Sequence, residues 1–188
     1  MAKLSHIAAT AVLGAALTAC AAGGIIVQPP TIGSYDPEML GYAASRGALL
    51  TQVVGNPFGV PKHDVDEAVA SSMTGATFGR HVTFAAKVSP DYASPYRVVF
   101  LLGPAPGAQA SRLCDDPDQP TAAPVDRLRA LAAFCSTDTV ITSIAGSAAK
   151  TAMPNDPAFR ELIRRMTMDL FPIRDPDEDD AEGEIRIP

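Results

Sequence analysis

The side chains that could hold a metal, move a proton or attack a carbonyl are few and scattered. His63 stands in KHDVDE beside Asp64, Asp66 and Glu67, and imidazole with carboxylates is a donor set for a divalent ion. Residues one or two apart on a helix point in different directions, however. Acidic residues in a first helical turn are also what the helix dipole favours. The cluster therefore reads as a helix start, and no metal ligand is assigned. His81 heads HVTFAAKVS beside Arg80, and a catalytic histidine would need a nucleophile and an orienting carboxylate. No G-x-S-x-G elbow is present, and Ser143 and Ser147 lie in a run of small residues. DPDEDDAEGE places Asp175, Asp177 and Asp179 at alternate positions, as in a calcium loop, but Asp180 stands where that loop needs glycine. Gly23-Gly24 opens no phosphate-binding loop. No catalytic residue, metal or cofactor is expected, and the chain is not expected to be an enzyme. Tyr92 and Tyr96 flank Pro95 in DYASPY. They are expected to pack on the rim of their own sheet rather than to form a recognition patch.

Cys20, the first of the three cysteines, sits differently. Lys3 gives a positive start, Ile7 to Leu17 is an uncharged apolar run, and Leu17-Thr18-Ala19-Cys20 ends it. The run is too short for a permanent span, which needs roughly 20 apolar residues. The segment resembles the signal peptide and lipobox of bacterial lipoproteins, with Leu at −3, small residues at −2 and −1, and cysteine at +1. The resemblance covers the first twenty residues of the chain. It implies a diacylglyceryl group on the sulfur of Cys20, cleavage before it, and acylation (palmitate-type) of the new amino terminus. Two or three such chains, at about 0.8 kcal/mol per buried methylene, anchor a domain stably. Ala21 stands where an aspartate would imply inner-membrane retention, so the implied location is the periplasmic face of the outer membrane. That compartment is oxidising, and it implies a disulfide between the remaining pair, Cys114 and Cys135. Neither lies in a C-x-x-C motif or near a histidine, which disfavours a metal or redox pair. Closing a loop of about twenty residues contributes roughly 3 kcal/mol in the chain-entropy model.

Charge narrows the partners. The 188 residues carry a formal net charge of −6, and loss of Lys3 with the signal makes it one unit more negative. Without a basic cluster, such a chain is a poor match for phosphate backbones, so no nucleic acid is expected. Much of the negative charge lies in RDPDEDDAEGEIRIP, residues 174–188, which reads as a disordered acidic tail.

The elements follow from periodicity. Residues 1–19 are signal, and 20–34, rich in Gly and Pro, read as a flexible tether. Residues 35–173 are one domain. Asp36-Pro37 starts a helix whose apolar positions predict that it runs over 37–54, to a stop at Gly55-Asn56-Pro57. A second helix is expected over 64–73. HVTFAAKVS and PYRVVFLL read as strands joined by SPDYASP, and TVITSIAG is β-branched. Residues 126–135 match helix and strand spacing equally. Strand is preferred, because Ser136-Thr137-Asp138 makes a tight turn and four strands make a stable sheet where two do not. NDPAFRELIRRMTMDLFP is an amphipathic helix capped by Asp156 and stopped by Pro172. The expected fold is α+β: a small, mainly antiparallel sheet of about four strands packed with N-terminal and C-terminal helices.

The mature chain is similar to short envelope lipoproteins of Gram-negative bacteria, and nothing in it points to a family of known activity. The implied role is that of an envelope accessory or scaffold protein, held to the membrane by its N-terminal lipid and binding another envelope protein. The alternative is a small-ligand or lipid carrier with a cleft between helices and sheet lined by Leu, Val and Phe.

Overall fold

The computed structural model describes residues 24–79, 81–89 and 94–173. The signal segment with Cys20, Arg80, Tyr92 and the acidic stretch 174–188 lie outside the described residues. In chain order the elements are β1 (Ile26–Val27), β2 (Thr31–Ile32), α1 (Pro37–Ala43), β3 (Leu49–Val54), α2 (Lys62–Met73), β4 (Phe84–Ala85), β5 (Tyr96–Leu102), β6 (Arg127–Ser136), β7 (Thr139–Ala149) and α3 (Pro157–Leu170). The seven strands form one sheet in the order β1-β7-β6-β5-β3-β4, with β2 also on β7. Strand β3 runs parallel to β4 and β5, and the remaining pairs are antiparallel.

A strand that is apolar on both sides needs cover on both faces, and β5 is such a strand. Val98, Phe100 and Leu102 face the layer of helices, while Val99 and Leu101 face the other way. Strand β6 repeats the division, with Leu128, Ala130, Ala132 and Phe134 towards the helices and Leu131, Ala133 and Cys135 opposite. On the helical side α3 buries Phe159, Leu162, Ile163, Met166 and Leu170. Asp156 accepts a hydrogen bond from the Ala158 amide at 2.8 Å and so fixes where the helix begins. Gly146 on β7 lets α3 approach: a Cβ there would lie 2.7 Å from the Met166 sulfur. Residues 103–126 cover the opposite face and insert Leu113, which is fully buried. Gln119 braces this segment from inside, accepting from the Gln109 amide at 2.8 Å and donating to the carbonyls of Gln109 and Asp116.

The mixed α and β architecture agrees with the sequence-based expectation, but the strand count does not. The four expected strands correspond to β4–β7, and three more are present. One comes from the expected helix over 37–54, which ends at Ala43 and gives way to β3. Gly47 breaks the helix with φ +137, a conformation that L side chains rarely adopt. Thr51, Val53 and Val54 are β-branched, and β3 is buried at alternate positions. The other two strands come from the expected tether: Ile26 pairs with Ser147 and Ile32 with Thr142, so this part of 20–34 belongs to the sheet. An eleven-residue β7 would otherwise expose an unpaired edge. The expected strand over 81–89 contributes only Phe84 and Ala85, and α2 begins two residues earlier than expected, at Lys62.

Where the sequence prefers strand over 126–135, the strand β6 covers Arg127–Ser136, turning into β7 through Thr137 and Asp138. Thr137 has φ +52. This left-handed conformation costs a β-branched residue roughly 1 kcal/mol or more, and Asn tolerates it better. Thr137→Asn is therefore expected to raise the melting temperature by about 2–4 °C, as read by circular dichroism. The carbonyl that accepts from Arg97 at 2.6 Å is backbone and survives the change.

Candidate functional site

Among the described residues, those singled out in the sequence do not converge on one site, although the two cysteines meet. Cys114, in the segment covering the second face, is disulfide-bonded to Cys135 on β6, with the Cα atoms 5.6 Å apart. Arg97, opposite Cys135 on β5, donates to the Cys114 carbonyl at 2.7 Å and to the Thr137 carbonyl. The disulfide thus clips a long loop to the sheet; both sulfurs are buried among Val99, Leu101 and Leu113. His63 lies in the first turn of α2, exposed, with Nε2 2.9 Å from Asp64 Oδ1. His81 is exposed in the stretch before β4. Among the described residues no group of three or more His, Cys, Asp or Glu is placed to hold a metal ion. Tyr96 stacks on Phe134, with centroids 5.7 Å apart, and meets Tyr42 edge-on. It belongs to the rim of its own sheet. Tyr35 is largely buried, and burial with the adjacent Asp36 carboxylate pushes its phenol up to about 12.

Two grooves missed by sequence reasoning open at the edges of the helix-facing core. The first, of about 580 Å³, lies between α2 and β4. Its floor is Ala70, Phe84 and Ala85, and its rim carries His63, Glu67 and Lys87. Thr74, near the end of α2, accepts from the Phe84 amide at 3.1 Å and ties the two walls together. Lys62 pairs with Asp66 and also donates to the Val53 carbonyl at 2.7 Å, which sets the helix against β3. The sequence signal was present in KHDVDE and FAAK, but these runs become one surface only through the β3–β4 register.

The second groove, of about 590 Å³, lies at the opposite edge of the sheet. Ile25, Ile26 and Val27 form one wall, and Arg164, Arg165 and Met168 of α3 form the other. Both arginines donate to Glu161 at 2.7–2.8 Å. These charge-assisted bonds hold the Glu161 carboxyl down to about 2 and raise the Arg164 guanidinium above its usual value. Away from these grooves, Leu, Val and Phe side chains between helices and sheet form one packed cluster.

No family model matches the sequence. No curated protein matches it. Among solved structures, a variant PelC dodecamer from Paraburkholderia phytofirmans is similar at 12% identity and a TM-score of 0.40, over 79% of this chain and 97% of that one. A second crystal form of the PelC dodecamer from that organism gives 11% identity and a TM-score of 0.39 over the same shares.

Proposed function

We propose that this chain is a lipid-anchored protein of the outer membrane's periplasmic face that works by binding another envelope protein. The lipobox-like LTAC at Cys20 supports the anchor. The α2–β4 groove carries the binding reading. It lies at the end of the strand order and has an apolar floor, a charged rim and a volume of about 580 Å³, features that suit a segment of another chain. The same floor gives the carrier alternative its one support, since an apolar groove of this volume also suits a small ligand.

Site-specific photocrosslinking in intact membranes separates the readings. A photoreactive residue at Glu67, exposed on the rim, is expected to give a discrete protein adduct, and one at exposed Asp118 is not. Filling the groove with Ala86→Trp should reduce the Glu67 adduct at least about tenfold, in line with the cost of losing a central apolar contact. Equal adducts at both positions, or a small molecule retained in native mass spectrometry and displaced by Ala86→Trp, would overturn protein binding.

A further inference from the structure

We infer that the β1–α3 edge lies against the bilayer and seats anionic lipid headgroups, so that the α2–β4 groove faces away from the membrane. The inference rests on the proposed acylation of Cys20. Three residues, Ala21 to Gly23, separate Cys20 from Gly24, and four fully extended steps along the chain span at most about 14 Å. Gly24 is not at the end of a long leash. Its carbonyl accepts from Arg127 at 2.7 Å, and the same guanidinium donates to the Ser147 carbonyl at 3.1 Å. Gln28 donates to the Ala145 carbonyl at 2.9 Å, and β1 between them pairs with β7. Arg127 therefore acts as a positioning residue that fixes where the chain leaves the sheet. Whatever surface surrounds Gly24 is held within a short chain length of the acyl groups.

That surface has the chemistry of a bilayer interface. Ile26 is 56% exposed, and across the groove Arg164 and Arg165 are 46% and 51% exposed. An apolar side chain beside paired guanidiniums matches an acyl boundary beside a phosphate. The two arginines share one carboxylate, Glu161. Asp169 also lines the groove, so Arg164 and Arg165 stand there against Glu161 and Asp169; Arg160, which leaves α3 net positive by one, lies in a separate groove against α2. The strand order puts β1 and β4 at opposite ends. Five interstrand steps of about 4.8 Å place them roughly 24 Å apart, so seating the first edge presents the second to the periplasm.

The test uses the full-length acylated protein in vesicles of phosphatidylcholine with one quarter phosphatidylglycerol and a trace of headgroup-nitroxide lipid. A fluorophore on Ile26→Cys should be quenched several-fold more than one on Lys87→Cys at the far edge. Pure phosphatidylcholine, or Arg164→Glu with Arg165→Glu, should at least halve the difference. Arg127→Ala should bring the two positions together while far-ultraviolet circular dichroism stays unchanged. Equal quenching at positions 26 and 87 on a chain whose intact mass shows the acyl groups would overturn the orientation alone. A mass showing an unmodified Cys20 would overturn the anchor, and the orientation with it.

Discussion

Phe134→Ala is expected to lower the unfolding free energy by about 3–5 kcal/mol, a large part of the stability of a domain this size. Phe134 has no solvent exposure and projects from β6 into the layer beneath the helices. It stacks on Tyr96 at 5.7 Å and meets Phe171 and Tyr35 edge-on at 5.1 and 6.4 Å. Those three rings come from β5, the end of α3 and the segment leading into α1. One side chain therefore joins the β5–β6 pair to the end of α3 and to the segment leading into α1, neither of which pairs with those strands. Removing it leaves a cavity that these three elements can close only by moving towards one another, and that would break the caps and registers that place them. Aromatic pairs of this kind add about 0.5–1.5 kcal/mol each beyond buried area. Phe134→Leu keeps most of the volume and is expected to cost less than half as much. Urea unfolding followed by circular dichroism measures both. A Phe134→Ala loss no larger than that of Phe134→Leu would show that the cluster is not the joint described here.

The parts of the fold that were legible in the sequence are those whose stabilising contacts repeat locally. Helix α3 announces itself through Asp156-Pro157 and an apolar stripe at helical spacing, because a capped amphipathic helix carries its whole logic in fourteen residues. The β6–β7 hairpin is legible because two apolar runs meet at a tight turn. Strand β3 was not legible: it is buried at alternate positions, but Leu50 and Val54 on the less buried row are as apolar as Leu49 and Val53, so the sequence shows no alternation and imitates a buried helix. The decisive local signals were Gly47 and the β-branched Thr51, Val53 and Val54. Strands β1 and β2 are two residues each around Pro29-Pro30. Nothing in such a segment specifies a strand. The specification comes from the edge of β7, far along the chain. The two grooves share this origin, because each joins residues from elements that become neighbours only when the sheet is assembled. The pairing of Cys114 with Cys135 was legible from the compartment that the lipobox implies. What the bond holds in place was not.

That bond supports the second large prediction. Cys114→Ser with Cys135→Ser, or reduction of the native protein, is expected to cost about 3 kcal/mol. The bridge spans a sequence separation of 21 residues, and freeing a loop of that length returns about this much conformational entropy to the unfolded chain. The melting temperature should fall by roughly 6–12 °C. The position of the bond makes the effect local as well as global. Residues 103–126 are the cover of the second face, and without the bridge they are held by buried Leu113, the three bonds of Gln119 and the reach of Arg97 to the Cys114 carbonyl. Helix α3 and its core lie on the other side of the sheet and share none of these contacts. Hydrogen exchange should therefore quicken in 103–126 and along β6 at Leu131–Cys135, while the amides of α3 keep their rank among the slowest. The double replacement avoids a lone buried thiol, so the two routes to an open bridge should agree. If exchange in 103–126 stayed as slow as in the oxidised protein and the melting temperature moved by less than about 2 °C, the segment would be held by Gln119 and Leu113. The disulfide would then add little to a cover that already closes by itself.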